Sequence, residues 1–195
     1  MKKPKILAFA GSTRSDSYNK KLIHVAASMA TAAGAEVTVI DLRDLALPLY
    51  DGDLEEQSGM PEGARKLKAL MREHDGFLIA SPEYNSSVTA VLKNAIDWTS
   101  RTETDDEPSL VAFRGKVAAL ISASPGALGG LRGLVHLRAI LGNIGVIVLP
   151  DQTSVSKAHE VFNEAGGFKD ESRAAPVKQV ATALVAFLAK HVAEC

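Results

Sequence analysis

The chain has 195 residues, 46% of them hydrophobic and 23% charged, a balance that excludes disordered and fibrous classes and predicts one globular domain over residues 1–195. Twenty-two basic against 23 acidic side chains leave a formal net charge of -1, so no broad field recruits nucleic acid or anionic lipid, and any anion must be caught locally. The lone cysteine, Cys195, excludes a disulfide framework or a Cys-based metal site, and with no signal peptide and no run of transmembrane length the chain is expected in the cytoplasm, with no membrane partner.

Ile6-Leu-Ala-Phe-Ala10 is a short apolar run that predicts a strand buried on both faces, ended by Gly11-Ser12. Leu22, Ile23, Ala26, Met29, Ala30 and Ala33 recur at helical spacing up to Gly34, a residue suited to a helix C-terminus. Glu36-Val-Thr-Val-Ile40 alternates and reads as an edge strand. Pro61 opens a second helix with Ala64, Leu67, Leu70 and Met71 inward, and Asp75-Gly76 turns into the strand Phe77–Ala80. Val88, Val91, Leu92, Ala95, Ile96 and Thr99 carry the clearest helical period of the chain. Lys116–Ala123 is a fourth strand, Leu131–Leu141 a helix, Val146–Leu149 a fifth strand and Val177–His191 a last amphipathic helix.

Five β-then-α units in succession predict an α/β fold with a parallel sheet, helices on both faces and right-handed crossovers. Two strand orders compete, dinucleotide-binding and flavodoxin-like. Only the flavodoxin-like order 2-1-3-4-5 needs just five strands and puts the second strand at an edge, which the alternation at Glu36–Ile40 favours. The expected architecture is a flavodoxin-like three-layer sandwich, with any ligand at the C-terminal ends of the strands.

In such a sheet the loop after the first strand meets a helix N-terminus, whose free N–H groups and dipole favour an anion. Here it reads Gly11-Ser-Thr-Arg-Ser-Asp-Ser-Tyr-Asn19. Gly11 allows close backbone approach, Ser12, Thr13, Ser15 and Ser17 offer hydroxyls, Asn19 an amide and Arg14 a forked, permanent charge. The plainer account is a hydrophilic turn in which Ser17 or Asn19 is an ordinary helix cap. The loop has neither Gly-x-Gly-x-x-Gly nor a Walker Gly-Lys-Ser/Thr, which leaves a mononucleotide phosphate as the ligand it could hold. A second loop, Ser81-Pro-Glu-Tyr-Asn-Ser-Ser87, follows the third strand on the same edge: Tyr84 offers a flat face, and Asn85 with exposed backbone amides offers donors for a polar ring edge.

Gly11-Ser-x-Arg-x-x-Ser-x-Asn19 with Leu22, then Ser81-Pro-Glu-Tyr-Asn-x-Ser, then Leu92-Lys-Asn-Ala-Ile-Asp-Trp98 with Ser100-Arg101, strongly resemble the NADPH-dependent FMN reductase family, the flavodoxin-like group that includes quinone and chromate reductases. The resemblance extends through Leu47-Pro-Leu-Tyr-Asp51, Gly129-Gly-x-Arg132 and Leu137-Arg138, covering about the first 150 residues. It implies that Ser12, Arg14, Ser17, Tyr18 and Asn19 hold the phosphate of FMN and that Pro82, Glu83, Tyr84 and Asn85 line the isoalloxazine. Ala123 and Ser124 would touch the other edge of the ring. It further implies NADPH or NADH as co-substrate, a small-molecule electron acceptor and a homodimer or homotetramer in which Arg101, Arg132 and Arg138 serve the interface. The flavin carries such chemistry, so no catalytic acid or base is named.

The rival readings are a flavodoxin-like electron carrier, whose phosphate loop would read Thr-x-Thr-Gly-x-Thr on a strongly acidic surface, and a non-redox mononucleotide-binding module. His24, His74, His136, His159 and His191 show no metal-ligand spacing and are assigned to surface or packing. The acidic run Glu103–Glu107 reads as a solvated face, with a gate over the flavin as the alternative. Leu131–Leu141, apolar nearly all round, suggests a subunit interface. Asp97 and Trp98 are read as structural.

Overall fold

A computed structural model describes residues 3–191, so Cys195 lies outside the described residues. The first apolar run forms β1 (Lys5–Ala10), followed by α1 (Tyr18–Ala32), and Gly34 adopts the expected left-handed φ of 105° just beyond that helix. The edge strand is β2 (Glu36–Asp41), only partly covered along its length. Two elements that sequence periodicity missed come next: a 3-10 turn over Leu42–Leu45 and α2 (Gly52–Ser58), each opened by an aspartate whose carboxylate accepts from the backbone N–H two residues on. Both are shorter than the window over which a helical period is visible.

Then follow α3 (Glu62–Glu73), β3 (Gly76–Ala80), α4 (Ala90–Thr99), β4 (Val117–Ala123) and α5 (Leu131–Asn143). Pro61 is the cap of α3 rather than its first residue, and Lys68 joins Ala64, Leu67 and Met71 on the buried face, with Leu70 partly buried against the same core. The last strand, β5 (Ile147–Val155), runs well beyond the predicted Leu149. Pro150 falls where the register against β4 shifts, at an irregularity of the kind that admits a residue without an N–H. Arg138 accounts for the carbonyls there: its guanidinium donates to Val148 and Leu149 and to the side chain of Gln152. A short turn, α6 (Ala158–Val161), leads to α7 (Glu171–His191), which begins six residues before the expected Val177. Asp170 receives the N–H and the hydroxyl of Ser172, so the helix starts upstream of Pro176, which as its sixth residue withholds one N–H from the helical ladder.

All pairings are parallel and the sheet order is β2-β1-β3-β4-β5, as expected. Alternation within each buried strand then divides the core. Ile6, Ala8, Ala10, Leu78 and Ala80 face α1 and α7, while Leu7, Phe9, Phe77 and Ile79 face α3, α4 and α5. No helix among the described residues is long and apolar enough to cross a membrane.

Candidate functional site

Ala10, Ala80 and Ala123 end three adjacent strands, and Gly11 and Ser81 each continue the ladder by one bond, to Ala80 and Ile121. The loops after β1, β3 and β4 therefore leave the sheet side by side. They enclose a cleft of about 80 Å3 lined by Ser12, Arg14, Ser17, Tyr18, Asn19, Pro82, Glu83, Tyr84, Ala123, Ser124 and Pro125. Every predicted site residue except Asn85 lies on that wall. Asn85 belongs to the same loop, one residue beyond Tyr84.

Ser17 is the cap residue of α1, in extended conformation, yet its hydroxyl caps nothing. The first bond that closes the helix runs from the Lys21 N–H to the Ser17 carbonyl, which leaves the first-turn N–H groups aimed at the cleft. Ser12 is buried and accepts the N–H of Arg14, whose own side chain is exposed and, among the described residues, pairs with no carboxylate. Backbone donors, two hydroxyls and the Arg14 guanidinium thus line one cleft, a set of groups whose charge and hydrogen-bonding capacity suit a dianionic phosphate.

Two residues of the phosphate loop do something other than the sequence implied. The side-chain amide of Asn19 is buried and committed: its Nδ2 donates to the Ala123 carbonyl at 2.8 Å and its Oδ1 accepts the Ala123 N–H at 3.0 Å. What Asn19 offers an anion is its backbone N–H. Gly11 is required by packing, because a Cβ there would lie 2.9 Å from the Cβ of Leu92 on α4. Its carbonyl in turn receives the hydroxyl of Thr89, the cap of α4.

The second loop is a tight turn closed by reciprocal bonds between Tyr84 and Ser87, with Asn85 and Ser86 at φ of 49° and 66°. Asn85 is suited to the left-handed region, but Ser86 is not, and its conformation there marks local strain that persists only where surrounding structure enforces it. Tyr84 is half exposed at the cleft rim. Glu83, on the cleft wall, commits its carboxylate to α5. One carboxylate oxygen accepts the N–H groups of Arg132 and Gly133 in the first turn of α5, and the other receives the Arg132 guanidinium. Burial pushes this carboxyl up, but Arg132 and the two amides outweigh it and hold Glu83 below the ordinary glutamate value.

A wider open depression of about 750 Å3 lies on the flank of α1, between Lys20, Arg43 and Glu164. Two of its cations, Lys20 and Lys21, are paired with Asp41 and Asp16, which leaves Arg43 as its cation without an ion pair among the described residues, and no helix N-terminus opens into it as Tyr18 and Asn19 open into the smaller cleft.

The remaining sequence assignments resolve on contacts. His74 is buried and bonded to the Leu70 carbonyl and the Thr38 hydroxyl, a packing role as expected. Trp98 is fully buried with its Nε1–H on the Pro48 carbonyl, and Asp97 pairs with Lys93. Arg101 holds Glu55 and sits over the Tyr50 ring, so within this chain Arg101, Arg132 and Arg138 all have partners. Glu103–Asp106 are exposed, the solvated face expected of this run, but Glu107 departs from it: it is largely buried and paired with Lys68, itself 1% exposed, which also donates to the Arg101 carbonyl. A lysine on the apolar side of α3 was the signal for this pair. The helix α5 buries Leu134, Leu137 and Leu141 but leaves Leu131 and Val135 open, an exposed apolar strip rather than an all-round one.

Residues 4–160 match the NADPH-dependent FMN reductase family. Over 164 residues, 84% of each chain, the sequence is 37% identical to a 2-hydroxy-1,4-benzoquinone reductase of Burkholderia sp. Over 181 residues, 92% of each chain, it is 35% identical to an NAD(P)H-dependent FMN reductase of Pseudomonas aeruginosa. Among solved structures, the flavoenzyme NAD(P)H:(acceptor) oxidoreductase FerB from Paracoccus denitrificans superposes with a TM-score of 0.78 at 29% identity, covering 96% of this chain and 98% of that one. With the three loops converging as they do and four-fifths of its length matched, the chain belongs to the NADPH-dependent FMN reductase family.

Proposed function

We propose that this protein is an FMN-dependent oxidoreductase that takes a hydride from NADPH or NADH and passes it to quinones, free flavin or other small electrophilic acceptors, acting in the cytoplasm as one domain over residues 1–195. The observation that carries the reading is the cleft itself, in which an uncapped helix N-terminus and a free arginine stand beside a loop bearing an exposed aromatic ring.

Bound there, FMN would supply the two-electron chemistry, accepting hydride from a nicotinamide and releasing it to the acceptor. The chain would hold the cofactor. Ser12, Ser17, Arg14 and the backbone N–H groups of Tyr18 and Asn19 would neutralise and orient the phosphate. Pro82, Tyr84 and Asn85 would line the isoalloxazine, with Ala123 and Ser124 along its other edge. Asn19 fixes Ala123, and Glu83 fixes the ring loop to α5, so both act on the site from behind.

A cleft of about 80 Å3 would take a phosphate but would not by itself enclose a three-ring flavin. Leu128, Leu131 and Val135 expose apolar surface at the start of α5, whose first turn holds Glu83. A second copy of the chain seated on that strip would cover the ring, and a homodimer or homotetramer is the assembly we assign.

Purified protein loaded with FMN should be yellow, and its visible absorbance should bleach on adding NADPH without oxygen and return on adding a benzoquinone. A protein that takes up no FMN refutes the cofactor assignment. One that binds FMN but is bleached only by a protein donor is a carrier.

A further inference from the structure

Glu83 stands in the loop that would line the flavin and on the wall of the cleft, yet its carboxylate is committed to α5. Its carboxylate binds the amides at the second and third positions of α5, a helix whose own cap residue, Gly130, has no side chain to do so. The same carboxylate is gripped by Arg132, at 2.8 Å from Nε. The backbone fits as closely as the charges: a Cβ on Gly133 would come within 3.1 Å of the Ser87 carbonyl and 3.4 Å of the Cα of Glu83. A Cβ on Gly130 would come within 2.9 Å of the Ser122 hydroxyl. His136, one turn further along α5, bonds the Ser87 hydroxyl at 2.9 Å. Both ends of the strained Tyr84–Ser87 turn are thus bound to one helix.

Resting on the flavin reading above, we propose that Glu83 is a positioning residue: the α5 N-terminus, gripped by its carboxylate, is the platform that holds the turn Tyr84–Ser87 in the geometry that receives the isoalloxazine. Asn85 adopts the left-handed region readily, but Ser86 does not, and a turn with a non-glycine residue at that position keeps its shape where something outside the turn holds it. The phosphate end of the cleft is built separately, on α1. Loss of the platform therefore weakens the hold on the ring and leaves the hold on the phosphate.

Riboflavin, which is FMN without the phosphate, separates the two ends. Glu83→Ala should weaken riboflavin and FMN by the same factor, at least about tenfold, whereas Arg14→Ala should weaken FMN and leave riboflavin unchanged. Glu83→Gln, which keeps an acceptor for the two amides, should recover part of the loss. In the flavin-free protein, hydrogen exchange at the Tyr84 and Ser87 amides should speed up in Glu83→Ala and stay slow in Arg14→Ala. Gly133→Ala provides a second route: it adds a helix-favouring residue to α5 but pushes on the Ser87 carbonyl, and should reproduce the riboflavin loss without loss of folding. Native affinity for both flavins in Glu83→Ala and Gly133→Ala, with any change confined to melting temperature, would reduce Glu83 to a helix cap and overturn the proposal. Native protein that binds neither flavin overturns the flavin reading and this inference together.

Discussion

The two ends of α4 are held in opposite ways. At its N-terminal end Thr89 ties the helix to Gly11, and beyond that bond lie the uncapped amides of α1, Arg14 with no carboxylate partner among the described residues, the half-exposed Tyr84 and the left-handed Asn85 and Ser86. At its C-terminal end the polar groups find partners inside the chain. Asn94 accepts the Tyr50 N–H and donates to the Pro48 carbonyl, Trp98 donates to that same carbonyl, and Arg101 meets Glu55. Lys68 and Glu107 close the region below. The fully partnered end carries stability, and the end with unused donors and local strain is where a ligand completes the structure. That division is the physical content behind the sequence motifs around Leu47–Asp51 and Leu92–Trp98, which brace the fold, and around Gly11–Asn19, which faces the cleft.

The largest effect that would separate the ends is expected from Lys68→Met. Removing Lys68 leaves the largely buried Glu107 carboxylate with only the Glu103 N–H and the exposed Arg72, and should cost about 3 kcal/mol of unfolding free energy in urea titrations. The FMN dissociation constant of the folded variant should stay within about twofold of native, because the sites share no partner. A comparable drop in both quantities would break the division.

Asn19→Ala is the intermediate case. It should cost about 1–3 kcal/mol, since both polar groups of Ala123 lose a buried partner. Because Ala123 forms part of the cleft wall, FMN affinity should fall as well. Stability lost with FMN affinity intact would move Asn19 to the structural side.

The smallest effect is pH dependence. Burial pushes the Glu107 carboxyl up, but the Lys68 hydrogen bond, the Glu103 N–H and the charges of Lys68 and Arg72 prevail and hold it below its ordinary value. Its contribution to stability is therefore complete above the unfolded pKa of about 4.3 and is lost as pH falls through the lower folded value. Glu107→Gln should flatten the acid limb of stability measured from pH 7 to pH 3. Glu83 is depressed in the same direction, by Arg132 and the α5 amides against burial, and its protonation should show instead as acid weakening of riboflavin binding. An acid limb unchanged in Glu107→Gln would show that the pair is not set against the unfolded state as argued.

Legibility followed distance along the chain. The parallel order, the edge position of β2 and the anion loop after β1 could be read because each rests on local facts: a buried run, an alternating run, and a cluster of donors ahead of a helical period. The short helix α2, the early start of α7 and the long β5 escaped because aspartate caps and an irregularity around Pro150 outweighed the periodicity. The role of Lys68 escaped for a different reason. A cation on an apolar face signals a buried partner, but its partner lies 39 residues away in a loop that by itself reads as solvated.

The sequence by itself determined the sheet, its order and the identity of the loops at its C-terminal edge, because burial and backbone chemistry repeat at short range. Only the tertiary structure decided what each polar side chain does there. Asn19 belongs to Ala123, 104 residues on, and Glu83 to the amides of α5, 49 and 50 residues on. A hydrogen bond is made over about 3 Å in space whatever the separation in sequence. Residue type shows that such a side chain needs a partner, and only the packed fold selects which one.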